Sequence, residues 1–116
     1  MLKRDRRISR EILKKLVKRR FYVSSYLLSA RLFENIENRE ADSRFSFSVS
    51  KKIEKNAVLR NKMRRIGYEC VRANLDKIKK GFYVRFLYHK KPQVYKKEVI
   101  MSEVLEILLE TRLIKE

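Results

Sequence analysis

Arginines recur in the middle of this chain at a spacing that suits phosphate binding. In a helix of 3.6 residues per turn, Arg60, Arg64 and Arg65 fall on one side, and Arg72 continues that side two turns later. A guanidinium group presents a planar fork of N–H donors, which matches a phosphate better than a lysine ammonium does. Asn61 lies on the same side and adds an amide that suits a ribose 2′-hydroxyl or a base edge. The residue types therefore indicate RNA recognition.

Lysines collect just before this predicted helix. They would oppose the helix dipole in the free protein, but with a bound anion they and the free amides of the first turn form a phosphate site. An ordinary solvated charged face is the competing interpretation, and the scarcity of compensating acids argues against it. The predicted RNA-binding residues, all placed away from the apolar stripe of the helix or before its start, are Lys51, Lys52, Lys55, Arg60, Asn61, Lys62, Arg64, Arg65, Tyr68 and Arg72.

The distribution of charge supports this interpretation. The 116 residues include 31 Lys and Arg against 14 Asp and Glu, a formal charge of +17 at pH 7. Self-repulsion at that charge destabilises a small chain, so the usual reason to keep it is a polyanionic partner. Residues 1–20 hold ten basic and two acidic side chains and residues 51–72 hold eight and two, whereas residues 93–116 hold four and five. Such asymmetry indicates a directed electrostatic surface.

Patterns typical of enzymes and metal sites are missing from the sequence. With one cysteine, Cys70, and one histidine, His89, neither a disulfide within the chain nor a soft-ligand metal site is expected. No glycine-rich phosphate loop or nucleophile motif occurs. No apolar run reaches the roughly 18 residues of a membrane span, and no secretory apolar segment follows the charged start. We expect a cytoplasmic binding protein without membrane association, whose own side chains hold no cofactor.

Periodicity places the candidate residues on an α+β scaffold. Apolar residues recur at helical spacing over residues 8–17, 56–74 and 95–113. Strands are predicted for the later part of 21–33, for 44–50 and for 82–88. The expected order is α-β-β-α-β-α, a two-layer sandwich in which helices pack on a small mixed sheet, as one domain over residues 1–116. Phe45 and Phe47 share one strand face and could either enter the core or stack on bases.

Residues 45–72, FSFSVSKKIEKNAVLRNKMRRIGYECVR, resemble the signature of the bacterial ribonuclease P protein component. That family has a strand ending in a Ser-Lys-Lys turn, followed by a helix that opens Ala-Val-x-Arg-Asn-Arg-x-Lys-Arg. The chain length and the order of elements fit the family as well. The matching residues are Ala57, Val58, Arg60, Asn61, Lys62, Arg64, Arg65 and Glu69.

The resemblance implies a protein that assists a catalytic RNA in cleaving the 5′ leader from precursor tRNA. The partners would be ribonuclease P RNA and precursor tRNA, the Mg²⁺ ions would come with the RNA, and no obligate protein partner is implied. A left-handed crossover between parallel strands is implied too, against the usual rule. A cleft beside the sheet would hold the single-stranded leader, and its candidate residues are Leu13, Val17, Arg31, Phe45 and Phe47.

Several positions depart from the family pattern. Lys62 and Tyr68 stand where arginines are usual, and Gly67 stands where an aliphatic residue is usual. In the cleft, aliphatic side chains replace aromatics of the first helix, and Arg31 replaces a tyrosine. The main alternative is a ribosomal-protein-like RNA binder, followed by a protein that places the arginine helix in a DNA groove and by a membrane-surface protein.

Overall fold

The computed structural model describes residues 2–16, 21–93 and 96–114. Its α-helices and β-strands within these ranges are α1 (Arg10–Lys15), β1 (Phe21–Ser24), β2 (Leu28–Glu34), β3 (Arg44–Ser48), α2 (Ala57–Ala73), β4 (Phe82–Tyr88) and α3 (Lys97–Glu110). Short 3-10 helices, Arg4–Arg6 and Leu75–Lys77, precede α1 and follow α2.

The strands form one mixed sheet in the spatial order β1-β2-β4-β3. The β1–β2 and β2–β4 pairs are antiparallel, and β3 and β4 run parallel. Because parallel neighbours need a crossover connection, α2 carries the chain from the end of β3 back to the start of β4. The arrangement confirms the expected α+β class with helices on a small mixed sheet, while the left-handed sense of the crossover stays a prediction.

The structure has one strand more than the sequence led us to expect. The strand expected in residues 21–33 is β2, and β1 precedes it as the outer arm of a hairpin. Ser25 N donates to Leu28 O at 2.7 Å, while Glu103 Oε1 on α3 accepts from Ser25 Oγ at 2.5 Å and from Leu27 N at 2.7 Å. This turn contains no Gly or Asn, the residues that usually mark a hairpin. A carboxylate from a distant helix holds it instead.

Side-chain caps fix where the first two α-helices begin. Asn56 is the N-cap of α2, as predicted, and its Oδ1 accepts from Val58 N at 2.9 Å and from Leu59 N at 3.2 Å. Ser9 caps α1, and its Oγ accepts from Ile12 N at 3.3 Å. These bonds satisfy amides that have no partner within the helix.

The last helix ends earlier than the expected residue 113. Arg112 adopts a φ of 62°, in the left-handed region that commonly terminates helices. Leu113 N then donates back to Leu108 O at 3.0 Å, which turns the chain so that Leu113 is buried.

One face of the sheet packs against α2 and α3 to form the core. Its buried strand residues are Val23, Leu28, Ala30, Leu32, Phe45, Phe47, Val84, Phe86 and Tyr88. The buried helix residues opposite them include Met63, Ile66, Cys70, Val71, Ile100, Val104, Ile107 and Leu108. Since successive strand residues point to opposite faces, the residues between these core positions form a second face that is free of α2 and α3.

Candidate nucleic-acid interface

The helix α2 presents a basic surface on its side away from the core. Arg65, Arg72 and Asn61 are exposed, and Lys62 and Arg64 are half-buried. Arg64 donates a hydrogen bond to Asn61 Oδ1 one turn earlier, so the two side chains lie together. This arrangement places guanidinium groups and an amide on one accessible helix side, as the sequence predicted.

Arg60 ties the start of α2 to the lysine-bearing loop. Its Nη1 donates to Glu54 O at 2.8 Å and to Lys55 O at 2.9 Å. Lys51, Lys52 and Lys55 are exposed in this loop. Because Arg60 satisfies two backbone carbonyls, it fixes the end of the loop against the first turn of the helix in addition to contributing charge.

Both acids of residues 51–72 are paired with lysines from other parts of the chain. Glu54 is only 4 % exposed, and its Oε2 lies 3.0 Å from Lys91 Nζ. Glu69 Oε2 lies 3.2 Å from Lys97 Nζ at the start of α3. Each carboxylate therefore has a cation of its own, which leaves the positive charge of the α2 arginines available to an outside anion.

Tyr68 lies at a different place from the one expected. Helical spacing groups it with the arginines, yet its side chain is only 9 % exposed. Phe47 N donates to Tyr68 Oη at 3.2 Å, and the Phe47 and Tyr68 rings meet edge to face with centroids 5.0 Å apart. The edge of the sheet reaches this side of α2 and covers the ring. Tyr68 therefore borders the core and is not part of the fully exposed basic surface.

The second polar surface is the face of the sheet opposite the core, which we call the open face. Register pairs Arg31 on β2 with Arg85 on β4, and Arg85 with Ser46 on β3, so the three form a row across the sheet. Phe33 on β2 pairs with Tyr83 on β4, two residues along each strand, and this pair lies on the same face. Two like charges on directly opposed strand residues repel each other. An anion lying over the row would relieve that repulsion.

A groove of about 430 Å³ lies at one end of the open face. Ile12 and Leu16, on and just after α1, line it together with Phe33 and Tyr83 of the sheet. Leu13 is half-buried on the same helix. Lys15, Glu34 and Glu37 line the groove as well, so its charge is mixed. The positive charge that suits a polyanionic strand lies farther along the open face, in the row of Arg31 and Arg85.

The candidate cleft residues do not lie together in the structure. Arg31 lies on the open face, and Leu13 is on α1, while Val17 lies outside the described residues. Phe45 and Phe47 are on the core face, 0 % and 4 % exposed. The prediction that they line the leader cleft is wrong, because rings enclosed between the sheet and α2 offer no free surface to a base.

Sequence reasoning did not single out Arg85 and Tyr83 as site residues. The signal for both is the period-two pattern of residues 82–88, in which Val84 and Phe86 occupy the core face. Strand alternation then assigns Tyr83 and Arg85 to the opposite face. The pattern therefore predicts that Arg85 lies on the open face. That Arg31 lies opposite it follows only from the register of the two strands.

Within residues 2–16, 21–93 and 96–114, no group of three or more His, Cys, Asp or Glu side chains is placed to hold a metal ion. In the same ranges, no helix is both long and apolar enough to cross a bilayer. Burial raises the pKa of the Cys70 thiol to about 11, so the thiol is protonated and unreactive near pH 7.

Comparison with solved structures finds the same fold in bacterial RNase P proteins. The RNase P protein of Staphylococcus aureus superimposes with a TM-score of 0.81 at 21% identity, over 97% of this chain and 100% of that chain. The RNase P protein of Thermotoga maritima gives a TM-score of 0.70 at 24% identity, over 90% of this chain and 96% of that chain. Among curated proteins, none matches this sequence.

A family comparison extends this likeness to the sequence. The family model described as Ribonuclease P matches residues 2–112 and so spans nearly the whole chain. The match includes the helix α2, its preceding lysines and the open face of the sheet. Taken with the shared fold, it shows that this chain belongs to the ribonuclease P protein family.

Proposed function

We propose that this chain binds ribonuclease P RNA and the 5′ leader of precursor tRNA, and so assists Mg²⁺-dependent removal of the leader. The observation that carries the proposal is the basic surface of α2. Arg65 and Arg72 are exposed there, while the two acids nearby are each paired with a lysine. A surface with this charge gains binding free energy mainly by releasing the counterions condensed on RNA phosphates.

In this proposal α2 contacts the catalytic RNA. The arginines form paired hydrogen bonds to phosphates, and Asn61 recognises a 2′-hydroxyl or a base edge. Lys51, Lys52 and Lys55 add positive charge just before α2. The amides of Val58 and Leu59 in its first turn are already bonded to the Asn56 cap, so the lysines contribute through charge alone. Lys62 takes part as a single point charge, since it lacks the fork of an arginine.

The single-stranded leader lies along the open face of the sheet. Arg31 and Arg85, as opposed neighbours on β2 and β4, hold its phosphates. Ile12 and Leu16 form the apolar wall of the cleft in this proposal, in place of the predicted Leu13, which does not line the groove. Recognition through phosphates in place of stacked bases makes leader binding depend on length and charge more than on base sequence.

Hydrolysis belongs to the RNA and its Mg²⁺ ions in this proposal, and the protein supplies no catalytic residue. Its contribution is electrostatic: by neutralising phosphates of the catalytic RNA and the leader, it lowers the Mg²⁺ concentration that the assembled complex needs. The effect is therefore expected to be largest where Mg²⁺ is limiting.

The test is cleavage of precursor tRNA by a bacterial ribonuclease P RNA at limiting Mg²⁺, with and without the protein. We expect strong rescue by the natural chain and weak rescue by an Arg65→Gln, Arg72→Gln double variant. Arg112→Gln is the matched control, because Arg112 is exposed just after α3 and lines none of the grooves described here. Tight RNA binding without rescue, also with the cognate RNA, would favour the ribosomal-type alternative.

A further inference from the structure

A groove of about 1030 Å³ lies between the N-terminal segment and α2, beside the start of β3. We call it the arm groove. The residues that matter for its chemistry are Arg4, Arg7, Arg10, Arg44, Asp5 and Tyr68. It is separate from the basic surface of α2, and it meets the edge of the open face, because Arg44 pairs in register with Tyr83 on that face.

The N-terminal wall of the arm groove is fixed to the sheet. Arg7 forms a parallel bridge with Phe45, and Ile8 N donates to Phe45 O at 2.8 Å. Leu2 is buried, which anchors the beginning of the segment. The backbone that carries the arginines of this wall is therefore already fixed to the edge of the sheet. A ligand does not have to order this segment when it binds.

Two adjacent arginines in this wall have different surroundings. Arg6 Nε donates to Ser43 O at 3.3 Å, and its Nη1 lies 3.6 Å from Asp42 Oδ2. Arg7 Nε is buried from solvent and has no hydrogen-bond acceptor in the part of the chain that the structure describes. Buried N–H groups are nearly always bonded, so this orphaned donor becomes available to a ligand once the Arg7 side chain rotates toward the groove.

The groove is rich in donors and positive charge. Four arginines line it against one carboxylate, that of Asp5. Tyr68 Oη already accepts from Phe47 N, which leaves the hydroxyl hydrogen for a different acceptor. Guanidinium forks and a hydroxyl around one space match the several oxygens of a phosphate better than the two of a carboxylate.

We propose that the arm groove binds an RNA backbone phosphate, with Arg7 and Arg44 as direct donors and Arg4 and Arg10 as surrounding charges. The inference rests on the proposed function, because the phosphate belongs to the RNA that α2 contacts. Tyr68 lies between Arg65 and Arg72 along α2, so a strand on the basic surface of this helix can continue into the groove. The N-terminal segment then acts as a second, preformed clamp on the same RNA.

The direct test follows the Nε–Hε signal of Arg7 by nuclear magnetic resonance in the natural chain. The probes are inorganic phosphate and the dinucleotide UpU, with the nucleoside uridine as the control that lacks phosphate. The Arg7→Lys variant identifies the signal. We expect a saturable shift with phosphate and UpU and none with uridine. An Arg7 signal that stays in place while α2 arginine signals move would overturn the inference and leave the proposed function standing.

A second test measures RNA affinity against salt for an Arg7→Gln, Arg44→Gln variant, with Arg112→Gln as the control. Each lost phosphate contact is expected to reduce the slope of log affinity on log salt by roughly 0.7–0.9, with about a tenfold loss of affinity at moderate salt. An unchanged slope in a folded double variant contradicts the arm groove. If instead the natural chain shows no salt-dependent RNA binding at all, the proposed function itself fails.

Discussion

The ring of Phe47 lies directly against the backbone of Gly67, so that a Cβ added at position 67 would stand 2.5 Å from Phe47 Cδ2. The same ring stacks on Phe86, with centroids 4.4 Å apart and planes inclined by 2°, and meets the edge of Tyr68. Glycine inside a helix is unfavourable by about 1 kcal/mol relative to alanine. Here its missing side chain makes room for the Phe47 ring between Phe86 of β4 and the backbone of α2.

Replacing Gly67 by alanine is therefore expected to destabilise the protein despite the better helix propensity. Overpacking costs about 1–3 kcal/mol, and we expect Gly67→Ala to lower the free energy of unfolding within that range. Urea denaturation measures it. In a Phe47→Leu background the same change should cost much less or stabilise, because the ring that it meets is gone. A stabilising effect of Gly67→Ala alone would contradict the packing described.

Truncating Phe45 tests its assignment to the core. The side chain is 0 % exposed, so Phe45→Leu is expected to lower the free energy of unfolding by roughly 1–3 kcal/mol. Single-stranded RNA affinity at temperatures where the variant is folded should stay unchanged. A loss of RNA affinity with normal stability would instead support base stacking by Phe45.

The arginines of α2 are expected to differ in their effect on RNA affinity and on folding stability. Removing the exposed Arg65 and Arg72 should reduce the salt slope of RNA binding by roughly 0.7–0.9 for each lost phosphate contact, with little change in stability. Arg60→Gln should also lower stability, because Glu54 O and Lys55 O lose their donor. Filter binding over a salt series and urea denaturation separate the two effects. Equal stability of all three variants would argue against a structural role for Arg60.

Cys70 should make folding stability depend on pH in the alkaline range. Burial raises the pKa of its thiol from 9.0 to about 11, so the unfolded chain loses this proton first as the pH rises. The folded state then binds more protons than the unfolded state, and stability falls between pH 9 and about 11. Roughly 2–3 kcal/mol of the stability present below pH 9 is lost across that window.

The matched comparison for this pH effect is Cys70→Ala. The variant loses side-chain volume in the core and is expected to be less stable than the natural chain at pH 7.5. Its deficit should shrink as the pH approaches 11, since only the natural chain has this thiol to titrate. A deficit that stays constant from pH 8 to 11, measured by urea denaturation, would contradict the raised pKa.

Local chemistry in the sequence determined the elements that carry the main basic surface. The Asn56 cap and helical spacing define α2, strict alternation defines β3, and the uneven distribution of charge marks the basic segments. Each of these signals comes from residues within a few positions of one another. For that reason they do not depend on how the rest of the chain is arranged.

The tertiary structure alone decided which of the candidate residues lie on an accessible surface. Glu103 closes the β1–β2 turn from another helix, and the sheet edge covers Tyr68, although helical spacing groups it with the arginines. The register between strands sets Arg31 opposite Arg85. These outcomes depend on contacts between residues far apart in the chain, and the free energy of packing the two layers selects them. Periodicity names a face of a helix or strand, but only packing decides what lies against it.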